Sequence, residues 1–124
     1  MFLKQVTLLS SRKFIYYMGY SYMRMIVFFD LPVLTKKERK IYSRFRKSLI
    51  QKGFYMLQYS VYVKIYANRD AAELEKKMIK RISPEEGNIR IMVVTEKQYS
   101  KMEIIVGGLS NQEKTITEEA VLIL

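Results

Sequence analysis

The chain is 124 residues long, 49% hydrophobic and 13% aromatic, with a net charge of +10 and an isoelectric point near 9.8. That is enough for one domain with its own core, and the charge favours an anionic partner. Without Cys, His or Trp, the sequence excludes disulfides, a Cys/His zinc site, a cysteine nucleophile and a histidine general base, leaving carboxylates, Lys, Tyr, Ser or a hard metal for any chemistry.

The charge is unevenly placed: residues 1–82 carry 18 Lys/Arg against 5 Asp/Glu, residues 83–124 only 4 against 7. A basic front and an acidic tail imply a polarised surface. No apolar run approaches the ~20 residues of a membrane span. The N-terminus does not read as a signal peptide either, because Ser10-Ser11-Arg12-Lys13 interrupts the short apolar stretch Val6–Leu9. No membrane partner is expected, and the lack of Cys fits a cytoplasmic location.

Residues 1–17 have weak periodicity and three basic residues without an acid. They read as a frayed arm, with Met18 as an alternative start. The domain is expected over 18–108, followed by a tail over 109–124. Tyr22–Phe29 is apolar on both faces and predicts a central strand. It leads into Asp30-Leu31-Pro32, where Pro32 marks its end. Thr35-Lys36-Lys37-Glu38 predicts a capping box, opening a helix that runs to about Lys52, with Gly53 as its stop. Ile41, Tyr42, Phe45, Ser48 and Leu49 form its inward stripe. Phe54–Tyr66 is β-branched and aromatic, too long for one strand, and has no Gly or Pro for a tight hairpin. It predicts a strand bent near Gln58-Tyr59-Ser60, or two strands joined by a bulge.

Asn68 is placed to cap a second helix, with Ala71, Leu74, Met78, Ile79 and Ile82 facing the core. Ser83–Asn88 reads as a turn, Ile89–Thr95 as a strand, Gln98–Met102 as a helical turn and Glu103–Val106 as a further strand ended by Gly107-Gly108. The tail is polar until Val121-Leu122-Ile123-Leu124, an apolar tip suited to a partner chain's sheet edge. The order β-α-β-β-α-β predicts an α+β, ferredoxin-like sandwich with two helices on one sheet face and an extra C-terminal strand. The other face would carry large apolar side chains, which predicts a homodimer.

Three features carry chemistry. The first helix holds Lys36, Lys37, Arg39, Lys40, Arg44, Arg46, Lys47 and Lys52, opposed only by Glu38. It reads as a solvated face or as contacts to nucleic-acid phosphates without base reading. Arg24 is a further, weaker candidate for such contact. Tyr55, Tyr59, Tyr62 and Tyr66 read as core and interface packing rather than base-stacking platforms. Asp30, the only acid in the first 37 residues, reads either as a turn aspartate or as a Mg²⁺ ligand and catalytic carboxylate. One carboxylate per chain is thin for phosphodiester hydrolysis unless a second subunit contributes its own.

The sequence resembles CRISPR-associated protein two, the small subunit of the spacer-acquisition machinery, in its type II form. The resemblance rests on Met23-Arg24-Met25-Ile26-Val27-Phe28-Phe29-Asp30-Leu31-Pro32, Glu38-Arg39-Lys40 and Phe45-Arg46-Lys47. It continues through Gly53-Phe54, Gln58-Tyr59-Ser60-Val61-Tyr62, Gly87-Asn88-Ile89 and Val94-Thr95-Glu96-Lys97-Gln98-Tyr99 with Met102. It runs from about Met18 to Leu124 and leaves residues 1–17 outside. It implies a homodimer whose C-terminal strand packs on its neighbour. It also implies a scaffold that binds duplex DNA and bridges dimers of a larger integrase subunit. Described members include Mg²⁺-dependent endonucleases on RNA or DNA, with the strand-end aspartate as ligand; Asp30 is the matching position. The expected role is therefore an adaptation-complex subunit in antiviral defence. The alternatives are a Mg²⁺-dependent endonuclease on single-stranded RNA or DNA, and a general ferredoxin-like RNA binder. Lys36, Lys37, Arg39, Lys40, Arg44, Arg46, Lys47 and Arg24 are the expected nucleic-acid contacts, and Val121–Leu124 the expected partner interface.

Overall fold

The structure, a computed structural model, describes residues 22–109 and 112–115. Its elements follow the expected order: β1 (Met23–Asp30), α1 (Lys36–Gln51), β2 (Tyr55–Gln58), β3 (Val61–Tyr66), α2 (Arg69–Ile82), β4 (Asn88–Thr95) and a short α3 (Glu96–Ser100). They build one antiparallel sheet in the order β2-β3-β1-β4. The apolar β1 is central as predicted, pairing with β3 on one side and β4 on the other. This is the ferredoxin-like α+β arrangement.

Alternation along β1 sorts its side chains between two cores. Met25, Val27 and Phe29 face the helices and pack with Phe45 and Leu49 of α1 and with Ala72 and Ile79 of α2. Phe29 sits edge-on to Phe45 with ring centroids 5.3 Å apart. On the opposite face, Ile26 clusters with Tyr55 and Val63, flanked by Leu57, Val61, Val94 and Tyr99. The α3 turn therefore folds back over one end of the sheet face that the two long helices leave bare.

The first helix starts as its sequence dictates. Thr35 Oγ1 accepts the Glu38 N–H at 3.1 Å, and Glu38 Oε1 accepts the Thr35 N–H at 2.8 Å. Gly53, just past the C-cap, has φ +97°, a conformation that costs other residues a Cβ clash. Thr95 and Gln98 repeat the capping box at α3.

Several expectations are corrected. Phe54–Tyr66 forms a tight hairpin after all: Tyr59-Ser60 separates β2 from β3, and Ser60 takes the left-handed conformation (φ 62°) usually left to glycine. The predicted bulge is present as well, between Met56 and Gln58. In the expected inward stripe of α2, Ile79 is buried as predicted, but Ala72 takes the buried place expected of Ala71 and the other predicted positions turn outward. Ala72 and Ile79 are buried, whereas Ala71, Met78 and Ile82 are exposed and Leu74 is 63% exposed. Glu75, rather than an apolar side chain, faces β3, where its Oε1 accepts from Lys64 Nζ at 2.9 Å and Tyr66 OH at 3.1 Å. Residues 103–106 form no strand: a strand needs a hydrogen-bonding edge, and within the described chain they meet none. Ile105 and Val106 are 85% and 91% exposed. The arm over 1–17 and the tip Val121–Leu124 lie outside the described residues.

Candidate nucleic-acid interface

Asp30 ends the central strand, exposed, and among the described residues its carboxylate accepts no hydrogen bond. The turn-aspartate reading requires a neighbouring amide on that carboxylate, so the structure favours a free acid. Its backbone, by contrast, is held tightly. The preceding residue, Phe29, donates its N–H to Ser60 O at 3.0 Å, and Asp30 pairs in register with Asn88. Gly87 packs against the same point: a Cβ there would lie 2.7 Å from Asp30 O and 2.8 Å from Leu31 Cδ2. At φ +101°, only glycine takes this position without strain.

No group of three or more Asp, Glu, His or Cys is close enough to share a metal ion among the described residues. The residues at Asp30 fit a Mg²⁺ held by one carboxylate and completed by waters and a substrate phosphate, a habit of this small, reluctantly dehydrated ion. They do not fit an all-protein cage.

The cations of α1 occupy a different surface. Phe45 and Leu49 fix the helix on the far side of the sheet from the face to which Asp30 belongs. Lys36, Arg39, Lys40, Arg44 and Lys47 line one shallow groove on its outer surface with Ser43 and Gln51. Lys36, Lys37, Lys40, Arg44 and Lys47 have no acidic partner among the described residues. The one acid of the helix, Glu38, is occupied by its cap. Arg39 turns back to donate to Val33 O and Leu34 O at 3.2 and 2.9 Å, and Arg46 donates to Tyr62 OH at 2.7 Å. The seven expected α1 cations thus divide into five free ones and two that also brace the fold.

Arg24 is a correction. It is 2% exposed and cannot meet a phosphate. Its Nε and Nη2 donate to Glu96 at 2.6 and 2.7 Å, its Nη1 donates to Tyr55 OH at 2.6 Å, and its guanidinium lies 4.0 Å from the Tyr99 ring centroid. Burial works to depress its pKa, but the Glu96 hydrogen bond and charge outweigh that and hold it above the ordinary arginine value. Burial first, then the hydrogen bond with Tyr99, pushes the Tyr55 phenol up, against the pull of Arg24. The partner acid is 72 residues away in sequence, so only the fold brings the pair together.

Of the four tyrosines, Tyr55, Tyr62 and Tyr66 are buried, as the packing reading expects; Tyr59, at the hairpin tip, is 79% exposed. Sequence reasoning missed Arg90 and Asn88. Directly opposed residues in an antiparallel ladder share a face, and the register sets Phe28 against Arg90 and Asp30 against Asn88. The alternation of β4 hinted at this, but only the register says which β4 residues stand beside Asp30.

The sequence profile described as "CRISPR associated protein Cas2" matches residues 23–102. The chain is 49% identical over 102 residues to a protein of Treponema denticola named "CRISPR-associated endoribonuclease Cas2", covering 82% of this chain and 100% of that one. Proteins of the same name from Campylobacter jejuni and Ligilactobacillus salivarius are 42% and 41% identical over 97 and 101 residues. They cover 78% and 82% of this chain, and 68% and 100% of their own. A solved structure titled "Crystal structure of cas2" superposes with a TM-score of 0.50 at 25% identity, covering 73% of this chain and 92% of that one. On sequence and fold together, the chain belongs to the Cas2 family of CRISPR-associated proteins.

Proposed function

We propose that this chain is a Mg²⁺-dependent endonuclease of the Cas2 type that cleaves single-stranded RNA at Asp30. The observation that carries the proposal is an exposed carboxylate with no hydrogen-bond donor among the described residues, on a backbone pinned by Ser60 and Gly87. A free acid on a rigid strand end is pre-organised to bind a cation or hold a proton. The names of the relatives support the same reading. When bound, Mg²⁺ supplies charge neutralisation at the scissile phosphate and a more acidic water. Asp30 is the residue that would hold the ion. In a homodimer joined through the bare sheet face, a second Asp30 would complement the first. The exposed Ile104–Val106 segment supplies apolar surface for that pairing.

The test is Asp30→Asn, a near-isosteric change at an exposed position that keeps the fold. Mg²⁺-dependent cleavage of a single-stranded RNA should fall at least a hundredfold, the scale of a lost charged group at a reacting centre. Cleavage within twofold of the parent would overturn the proposal.

A second reading has its own observation. The five α1 cations without an acidic partner favour contact with a duplex DNA backbone, as in an adaptation subunit bridging integrase dimers during spacer acquisition in the cytoplasm. Lys40→Glu/Arg44→Glu/Lys47→Glu should then flatten the log–log salt slope of duplex binding by about 0.9 for each phosphate no longer neutralised. An unchanged slope removes this surface from consideration. A folded, dimeric Asp30→Asn should still support spacer integration if bridging is the role.

A further inference from the structure

The bare end of the sheet beside Asp30 holds two opposite charges that do not neutralise each other. Asp30 and Asn88 face each other across β1 and β4, as do Phe28 and Arg90 one step along the ladder. All four side chains therefore rise from the same face, with Arg90 on the diagonal from Asp30. At that diagonal spacing, of about 7–8 Å between backbones, a long guanidinium stem spans the gap easily. Yet Arg90 is ion-paired neither to Asp30 nor to any other acid among the described residues, and it donates no hydrogen bond there. Arg24, the other arginine on this face, is consumed by Glu96. Arg90 is thus the free guanidinium of the Asp30 corner, contributed by the acidic C-terminal third rather than by the basic helix.

We infer that Arg90 is the phosphate-binding residue of the Asp30 site and takes the phosphodiester of a single-stranded RNA. The inference rests on the endonuclease reading of Asp30 and adds the substrate contact to it. A guanidinium offers a fork of donors that matches two phosphate oxygens, and a carboxylate a short distance away offers a cation seat that a phosphate can complete. The exposed Phe28 side chain neighbours both, opposite Arg90 and two residues before Asp30 on β1, and offers an apolar surface for the sugar or base next to the bound phosphate. The cations of α1 cannot substitute, because they lie on the other side of the sheet.

The test uses the full chain, a short fluorescein-labelled single-stranded RNA and two assays. In Mg²⁺-free buffer with chelator, equilibrium binding is measured across a salt series for the parent, Arg90→Gln and Arg90→Lys. Arg90→Gln should bind roughly tenfold more weakly, the factor one charge-assisted contact supplies. Its log–log salt slope should shrink by about 0.7, one single-strand phosphate. Arg90→Lys should keep the slope while losing part of the affinity, since the charge remains and the fork does not. In Mg²⁺, Arg90→Gln should raise KM for cleavage. Arg90 is exposed and without described contacts, so circular dichroism should find all variants folded. Unchanged affinity and slope in Arg90→Gln overturn the inference, as does a parent chain that binds no single-stranded RNA. If the parent binds RNA through Arg90 but never cleaves it, the endonuclease reading fails while the phosphate contact stands.

Discussion

Glu96→Gln should be among the most damaging conservative substitutions in the chain. It removes one charge and exchanges one acceptor oxygen for an NH₂ group facing a guanidinium. The Arg24 side chain is 2% exposed and Glu96 14%, so water cannot replace what is removed. Breaking one half of a buried ion pair costs about 3 kcal/mol or more, because the remaining charge stays buried without its partner. Arg24 retains Tyr55 OH and the Tyr99 ring, which keeps the cost at the lower end of that range. A destabilisation of this size lowers Tm by on the order of 10 °C in a domain of this length. Arg24 cannot relieve the strain by deprotonating, because a guanidinium keeps its charge at every accessible pH. Urea and thermal unfolding measure the cost. Arg24→Met/Glu96→Leu provides the control and should be less destabilised than Glu96→Gln alone, since no charge is left behind. A Glu96→Gln midpoint equivalent to a destabilisation of less than about 0.5 kcal/mol would refute the reasoning, because surface substitutions commonly fall within that range.

Gly87→Ala should cost about 1–3 kcal/mol, as its Cβ meets Asp30 O and Leu31 Cδ2 at a positive φ. It should also reduce any Asp30-dependent activity beyond the fraction unfolded, which activity per folded molecule will reveal. Alkaline unfolding is a third outcome. Burial, followed by the Tyr99 hydrogen bond for Tyr55 and the Glu75 charge for Tyr66, raises both phenols above their ordinary value of 10.0. A raised folded pKa gives stability that is complete below the unfolded value and lost above it. Stability should therefore hold to pH 10 and fall beyond, with tyrosinate absorbance rising together with unfolding. Tyr55→Phe/Tyr66→Phe should reduce that slope; a slope equal to the parent's would count against the assignment.

Much of the fold was legible because its signals are local. The apolar run of β1 demanded a covered central position, and Thr35 with Glu38 specified where α1 begins. Gly53 specified where it ends. Ser60 shows the limit: nothing local marks a serine for the left-handed region, and the hairpin forces it there. The α2 stripe erred for a related reason, since its apolar residues outnumber the places the sheet offers, and Leu74 is left in solvent. Residues 103–106 have strand-like chemistry but no edge to pair with among the described residues.

The site divides in the same way. Sequence alone determined that Asp30 is the acid ending a central strand, that α1 is densely cationic, and that neither His nor Cys can take part. These follow from composition and short-range periodicity. Tertiary structure decided which charges are free. It buried Arg24 against Glu96, set the α1 cations and Asp30 on opposite sides of the sheet, and brought Arg90 to the Asp30 corner. The physical reason is that a charge's role depends on what lies within a few ångströms of it. For Arg24 and Arg90, those neighbours come from strands and turns that are remote in sequence and meet only through the antiparallel register.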